Sequence, residues 1–81
     1  MPKRTSVFLP AQCRAARALL NWSQDELAAK AAVAKQTLGE FERGARQPYP
    51  RTLNDIRAAL EAAGVEFTNG DATGVRLRKK R

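Results

Sequence analysis

The sequence predicts a mainly α fold of four helices followed by a C-terminal β-hairpin, and three observations predict it. Apolar residues recur at helical spacing in four segments between Pro10 and Ala63. Start and stop signals separate those segments, among them Pro10, Ser23, Gly44 and Gly64. Beyond Gly64 the period changes to two, in Val65-Glu66-Phe67-Thr68 and again in Gly74-Val75-Arg76-Leu77-Arg78.

Residues 1–8 carry Lys3 and Arg4 without periodicity and are expected to form a flexible basic arm. The first helix should begin near Pro10, because a proline at the first helical position lacks only an N–H that would be unpaired there. Leu9 stands where a capping side chain is wanted and cannot supply one. Cys13, Ala16, Leu19 and Leu20 form its apolar stripe, and Asn21-Trp22 makes the corner. Ser23 is a good N-cap for the second helix, and Glu26 three residues on completes a capping box. Gln24, Leu27, Ala28 and Ala31 have helical spacing, and the small Ala28 allows another helix to cross close by.

After a break at Ala32-Val33-Ala34, a third helical run extends from Lys35 to Arg43, with Leu38 and Phe41 on one face and Gly44 as C-cap. Lys35, Gln36, Thr37 and Glu40 lie largely off that face. Two helices crossing through small residues, the second polar outward, are the device by which a helix is set into the DNA major groove. Pro48 and Pro50 keep the next stretch from being helical throughout. The fourth helix is expected from about Arg51 to Ala63, burying Leu53, Ile56, Ala59 or Leu60, and Ala63. In the hairpin, a tight turn at Asn69-Gly70 would set Phe67 opposite Ala72. Pairing Val65 with Leu77 and Phe67 with Val75 instead puts four apolar residues on one face and Glu66 opposite Arg76. The second register, with a loop of about five residues, is the better one.

The chain has 81 residues, which suits one small domain. Fifteen Lys and Arg against eight Asp and Glu give a net charge of +7, so an anionic partner is expected and nucleic acid leads. Arg76, Arg78, Lys79, Lys80 and Arg81 supply five of those charges, which makes the basic tail at 79–81 a signal separate from the helices. It would either follow a phosphate backbone or serve solubility. Histidine is absent and Cys13 is the single cysteine, so a zinc site and a Ser-His or Cys-His nucleophile have no parts. A lone cysteine also fits a reducing compartment, and Cys13 reads as a small buried hydrophobe. Val7-Phe8-Leu9 is too short for a signal core, and no apolar run could cross a bilayer. An enzyme is not expected, nor any cofactor or metal; a cytoplasmic, nucleoid-associated protein is.

The stretch Gln24–Gly44 resembles the helix-turn-helix regulators of the Cro and phage-repressor (Xre) type. It has Gln24 opening the second helix, Ala28 at the fifth position, Leu38 at the fifteenth, and the ending Phe41-Glu42-Arg43-Gly44. The resemblance implies a lambda-repressor-like helix-turn-helix domain over residues 9–63, with the reading unit at about 24–43. It also implies an ion pair between Arg17 and Glu42 that orients the third helix. Three positions depart from the family pattern. Ala32 stands where glycine is usual, Ala34 where Ser or Thr would cap, and Gly39 interrupts the third helix, each costing on the order of 1 kcal/mol.

On DNA, Gln36 is the leading base contact, since its amide can pair bidentately with adenine. Lys35 would reach guanine or a phosphate, Glu40 a cytosine amino group, and Thr37 a thymine methyl or a phosphate. The plain alternative for Lys35 and Glu40 is a solvated helix face. Gln24, Arg43, Arg46 and Arg51 would grip phosphates, although Arg46 and Arg51 equally fit a role in solubility. Such domains generally bind as twofold dimers. Residues 64–78, through Val65, Phe67, Val75 and Leu77 or a strand edge, are therefore expected to form a homodimer interface, or else to lie as a lid over the first and fourth helices.

The function expected is a sequence-specific DNA-binding transcriptional regulator from a bacterium or mobile element. It would act as a repressor or autoregulator on an inverted-repeat operator. The alternatives are the antitoxin of a toxin–antitoxin pair and a protein-binding adaptor on the same fold. An adaptor should expose an apolar third helix, which this sequence lacks.

Overall fold

The computed structural model describes residues 8–78. Four helices, α1 (Pro10–Leu20), α2 (Gln24–Ala31), α3 (Lys35–Glu42) and α4 (Pro50–Ala62), precede an antiparallel pair of strands, β1 (Val65–Asn69) and β2 (Thr73–Leu77). This is the mainly helical architecture with a C-terminal hairpin that the sequence predicts.

The helix ends follow from local chemistry. Ser23 Oγ accepts from Glu26 N at 3.0 Å while Glu26 Oε1 accepts from Ser23 N at 2.8 Å, the reciprocal capping box that starts α2. Helix α1 has no side-chain cap, but Gln12 reaches back so that its Oε1 accepts from Leu9 N at 3.0 Å. Half of a capping box therefore secures an end that Leu9 alone would leave open. Helix α4 begins at Pro50, one residue before the position read from sequence, because proline is accommodated in the first turn. Helix α3 stops at Glu42, and Gly44, at φ +75°, turns the chain away with Ala45 N donating to Glu40 O at 2.9 Å.

Leu27, Leu38, Phe41, Ile56 and Leu60 meet in the centre with Cys13, Ala16, Ala28, Ala31 and Val65. Each large side chain fully buried there contributes roughly 1.5–3 kcal/mol. Leu53, Ala59, Leu20, Trp22 and Val33 pack around them, partly buried. Leu19 does not join; it is exposed. Ala63 lies just past the end of α4 as its cap residue.

Phe8 and Gln12 also depart from what the sequence suggests. Phe8, grouped by sequence with the arm, is buried. Its ring lies 5.5 Å from that of Phe41 and 5.2 Å, edge-on, from that of Phe67, so it joins α3 to the hairpin. The rest of the expected arm and the tail at 79–81 lie outside the described residues. Gln12, unflagged by sequence, is 2% exposed on α1 and carries the hairpin. Its Nε2 donates to Gly74 O at 3.1 Å and, more weakly, to Thr68 O at 3.4 Å.

The strands pair Val65↔Leu77, Glu66↔Arg76 and Phe67↔Val75, the register expected from the apolar face and the charge pair. The ladder runs on to Asn69↔Thr73, so the loop holds three residues, Gly70 to Ala72, rather than about five. Glu66 Oε1 accepts from Arg76 Nε at 2.7 Å on the outer face. The inner face turns toward the helices: β2 lies along α1 and β1 along α4. Val65 is buried, and Phe67 and Val75 pack against the core. Of the two arrangements expected for this apolar face, it takes that of a lid over α1 and α4, and of its four residues only Leu77 is substantially exposed. The reason is physical: a two-stranded ribbon is marginal in water and is stabilised by the nearest apolar surface.

Candidate nucleic-acid interface

The crossing of α2 and α3 depends on a left-handed backbone at Ala32, φ +57°, where the α2 ladder ends and Val33 N donates to Ala28 O at 3.0 Å. Ala34 then opens α3 with extended φ/ψ and no side-chain cap bond. Both departures from the family pattern are therefore places where an alanine does what glycine or serine does at less cost. Gly39 is different. It is buried under α2, and a Cβ built there would stand 3.5 Å from Arg43 Nη1 and 3.7 Å from Gln24 Oε1, which is ordinary contact. An alanine would fit, so the close approach does not by itself require glycine.

The first turn of α3 stands out from the body. Lys35 and Gln36 are exposed, and Thr37 and Glu40 half-buried. Gln36 and Glu40, one turn apart, lie side by side, with Lys35 and Thr37 to either side of them. Lys35 Nζ lies 3.1 Å from Asp25 Oδ1 at the start of α2, a pair exposed on both sides and so of little energetic weight. Gln36 Nε2 donates to Glu40 Oε2 at 3.2 Å, while Arg46 Nε approaches Glu40 Oε1 at 3.8 Å. Arg43, Arg46 and Arg51, which follow α3 in the sequence, are all exposed, and the stretch from Arg43 to Asn54 contains no acidic residue. Thr37, Arg46, Gln47, Pro48, Tyr49 and Thr52 line a shallow notch beside α3, and Tyr49 is the most exposed large apolar residue of the described chain.

Behind that surface sits a buried carboxylate. Glu42, 2% exposed, accepts from Arg17 through both oxygens: Nη2 to Oε1 at 2.7 Å and Nε to Oε2 at 2.9 Å. Gln24 Nε2 adds a bond to Oε1 at 2.9 Å and Cys13 Sγ one to Oε2 at 3.0 Å, while Arg14 donates to the backbone carbonyl of Glu42. Burial alone pushes the Glu42 carboxyl up. The bonds from Arg17, Gln24 and Cys13 outweigh it and hold the group below its ordinary value. Burial first, then the carboxylate beside it, raises the Cys13 thiol well above its usual range, so the thiol remains a protonated donor. Helices α1, α2 and α3 meet at this one side chain. It fixes how α3 is presented, and no buried polar side-chain atom among the described residues lacks a partner.

A family model for the helix-turn-helix matches residues 14–66, from α1 into β1. The chain belongs to the helix-turn-helix family, Xre/Cro type. This is a family of DNA-binding transcription regulators and not of enzymes. A comparison with curated proteins gives no match. No helix among the described residues is long and apolar enough to cross a membrane.

The expected Arg17–Glu42 pair is formed. Gln24, expected at a phosphate, has its amide nitrogen turned inward onto Glu42. Cys13, Arg14 and Gln12 escaped notice as functional supports. Cys13 lies one helical turn before Arg17, so a shared face toward Glu42 was available as a signal. For Gln12 and Arg14 the partners are backbone carbonyls far along the chain, which no local pattern marks.

Proposed function

We propose that the protein is a sequence-specific transcriptional repressor that binds an inverted-repeat operator as a homodimer, α3 entering the major groove of each half-site. The observation that carries this reading is the exposed polar turn of Lys35, Gln36, Thr37 and Glu40, held on a buried carboxylate and followed by three exposed arginines. Gln36 and Thr37 offer the donors, acceptor and methyl group that base edges match. Arg43, Arg46 and Arg51 supply charge for the phosphate backbone on the downstream side. Gln24, held by Glu42, keeps its second N–H for a phosphate at the start of α2. A protein-binding adaptor would present an apolar α3, and here the apolar residues Leu38 and Phe41 are buried.

The dimer would form along β2. The bond from Arg78 N to Gly64 O, 2.8 Å, sets the ladder so that the backbone groups of Thr73, Val75 and Leu77 face away from β1, and Leu77 is exposed beside them. Binding to the DNA upstream of its own coding sequence, against random competitor at roughly physiological salt, tests the whole. Protection of an inverted repeat, lost on Gln36→Ala, is the expected result. Binding that is weak, indifferent to sequence and abolished by salt would reject it and point to a protein-covering role such as an antitoxin's. For the dimer, Leu77→Asp should give a monomer by sedimentation with its melting temperature little changed. A variant that remains a dimer would remove the β2 edge from consideration.

A further inference from the structure

Glu40 does more on the α3 surface than present a charge. Its two oxygens have separate partners: Oε2 accepts from Gln36 Nε2 at 3.2 Å, one helical turn back, and Oε1 faces Arg46 Nε at 3.8 Å. Its side chain is only 23% exposed, against 64% for Arg46, so the carboxylate is the more fixed member of the trio. A primary amide carries two N–H groups and one carbonyl oxygen. With one N–H committed to Glu40, the flip of the Gln36 amide is no longer free. The other N–H and Oε1 then form an outward edge of one donor beside one acceptor.

We propose that Glu40 is a positioning residue that sets Gln36 to read adenine. Adenine shows N7 as acceptor and the N6 amino group as donor in the major groove, the complement of that edge, whereas guanine shows two acceptors there. The free amide of an unsupported glutamine turns to suit either base; the Glu40-bound amide turns its oxygen toward guanine O6 and rejects it. Arg46 restrains Glu40 from the side on which the phosphate backbone would pass, so the contact that docks the helix also braces the one that reads. This inference rests on the proposed operator binding.

The test is selection of bound duplexes from a random-sequence library by the wild-type protein and by Gln36→Ala, Glu40→Ala and Glu40→Gln, each checked for folding by circular dichroism. The wild type should enrich an inverted repeat with one adenine per half-site whose preference depends on Gln36. That preference should be roughly 5- to 150-fold, the span of a good bidentate contact. Glu40→Ala should lose it at that position alone, while binding all sequences more tightly because a negative charge has gone. Glu40→Gln, which still offers an acceptor oxygen, should retain it. Were Glu40 only a solvated or repelling charge, both variants would gain affinity with the base preference intact, and that result overturns the proposal. Loss of preference in Glu40→Gln as in Glu40→Ala also overturns it, since the hydrogen bond would then not be the cause. No enriched repeat with the wild type would overturn the operator-binding reading itself, and this one with it; an enriched repeat indifferent to Glu40→Ala would overturn this one alone.

Discussion

Arg17 on α1 and Glu42 at the end of α3 form a two-pronged ion pair, 2.7 and 2.9 Å, with the carboxylate buried and the guanidinium partly open to solvent. Two long side chains from helices 25 positions apart are thereby held in one geometry. The pair's net stabilisation is modest after desolvation, but removing one partner leaves the other uncompensated. Glu42→Gln should therefore destabilise by roughly 3 kcal/mol, a large part of the stability of a domain this small. Urea unfolding checks the magnitude, and a variant within about 0.5 kcal/mol of wild type would show that the cluster is not a keystone.

Acid should act through the same carboxylate. Glu42 titrates below its ordinary 4.5 in the folded chain. A depressed carboxyl contributes stability that is fully present above the unfolded value and is lost as pH falls through the folded one. The difference in melting temperature between wild type and Glu42→Gln should thus be constant from neutrality down to about pH 5.5 and shrink steadily below it. Parallel curves through the acid range would assign acid unfolding to other groups.

The turn between α2 and α3 carries strain that a single substitution should relieve. Ala32 sits at φ +57° and ψ +43°, where a Cβ crowds the backbone and glycine does not. Ala32→Gly should stabilise by about 1 kcal/mol, a rise of roughly 4–8 °C in melting temperature for a domain of this size. Thermal denaturation followed at 222 nm decides it; a lower melting temperature would mean that the added freedom of the unfolded chain outweighs the relief.

Helix α3 opens without a cap, which leads to a second stabilising change. Ala34 has the extended backbone of an N-cap residue, and its side chain offers the amides of α3 nothing. Ala34→Ser should add about 1 kcal/mol and slow amide exchange in the first turn of α3. An unchanged melting temperature with unchanged exchange would show that solvent already satisfies those amides.

What the sequence made legible were features whose cause is local or charge-paired. The reading unit could be placed because Ser23, Ala28, Leu38 and Gly44 each do one local job, and the hairpin register because only one pairing sets Glu66 on Arg76 with the apolar residues together. Arg17 and Glu42 came from family resemblance rather than spacing. Phe8 was misplaced because its partners, Phe41 and Phe67, lie far along the chain. Alternation in the strands told which residues would be buried, and left open whether a second chain or the protein's own helices would bury them. Gln12 was invisible for the same reason: a polar residue on a helix reads as surface until the carbonyls it serves are in view.

Gln12 is therefore where the hairpin should be most easily released. Its buried amide joins the first turn of α1 to Gly74 O at 3.1 Å and accepts from Leu9 N at 3.0 Å. Replacing it removes the side-chain bonds that tie α1 to the hairpin, each worth about 0.5–1.5 kcal/mol. Gln12→Leu keeps the volume and removes the bonds. Amide exchange should then accelerate in Glu66, Thr68, Gly74 and Arg76, while Leu27 and Leu38 keep their protection relative to global unfolding. Uniform acceleration across α2, α3 and the hairpin would mean instead that the strands and helices open as one unit, and that Gln12 supports the whole fold rather than the hairpin's attachment to it.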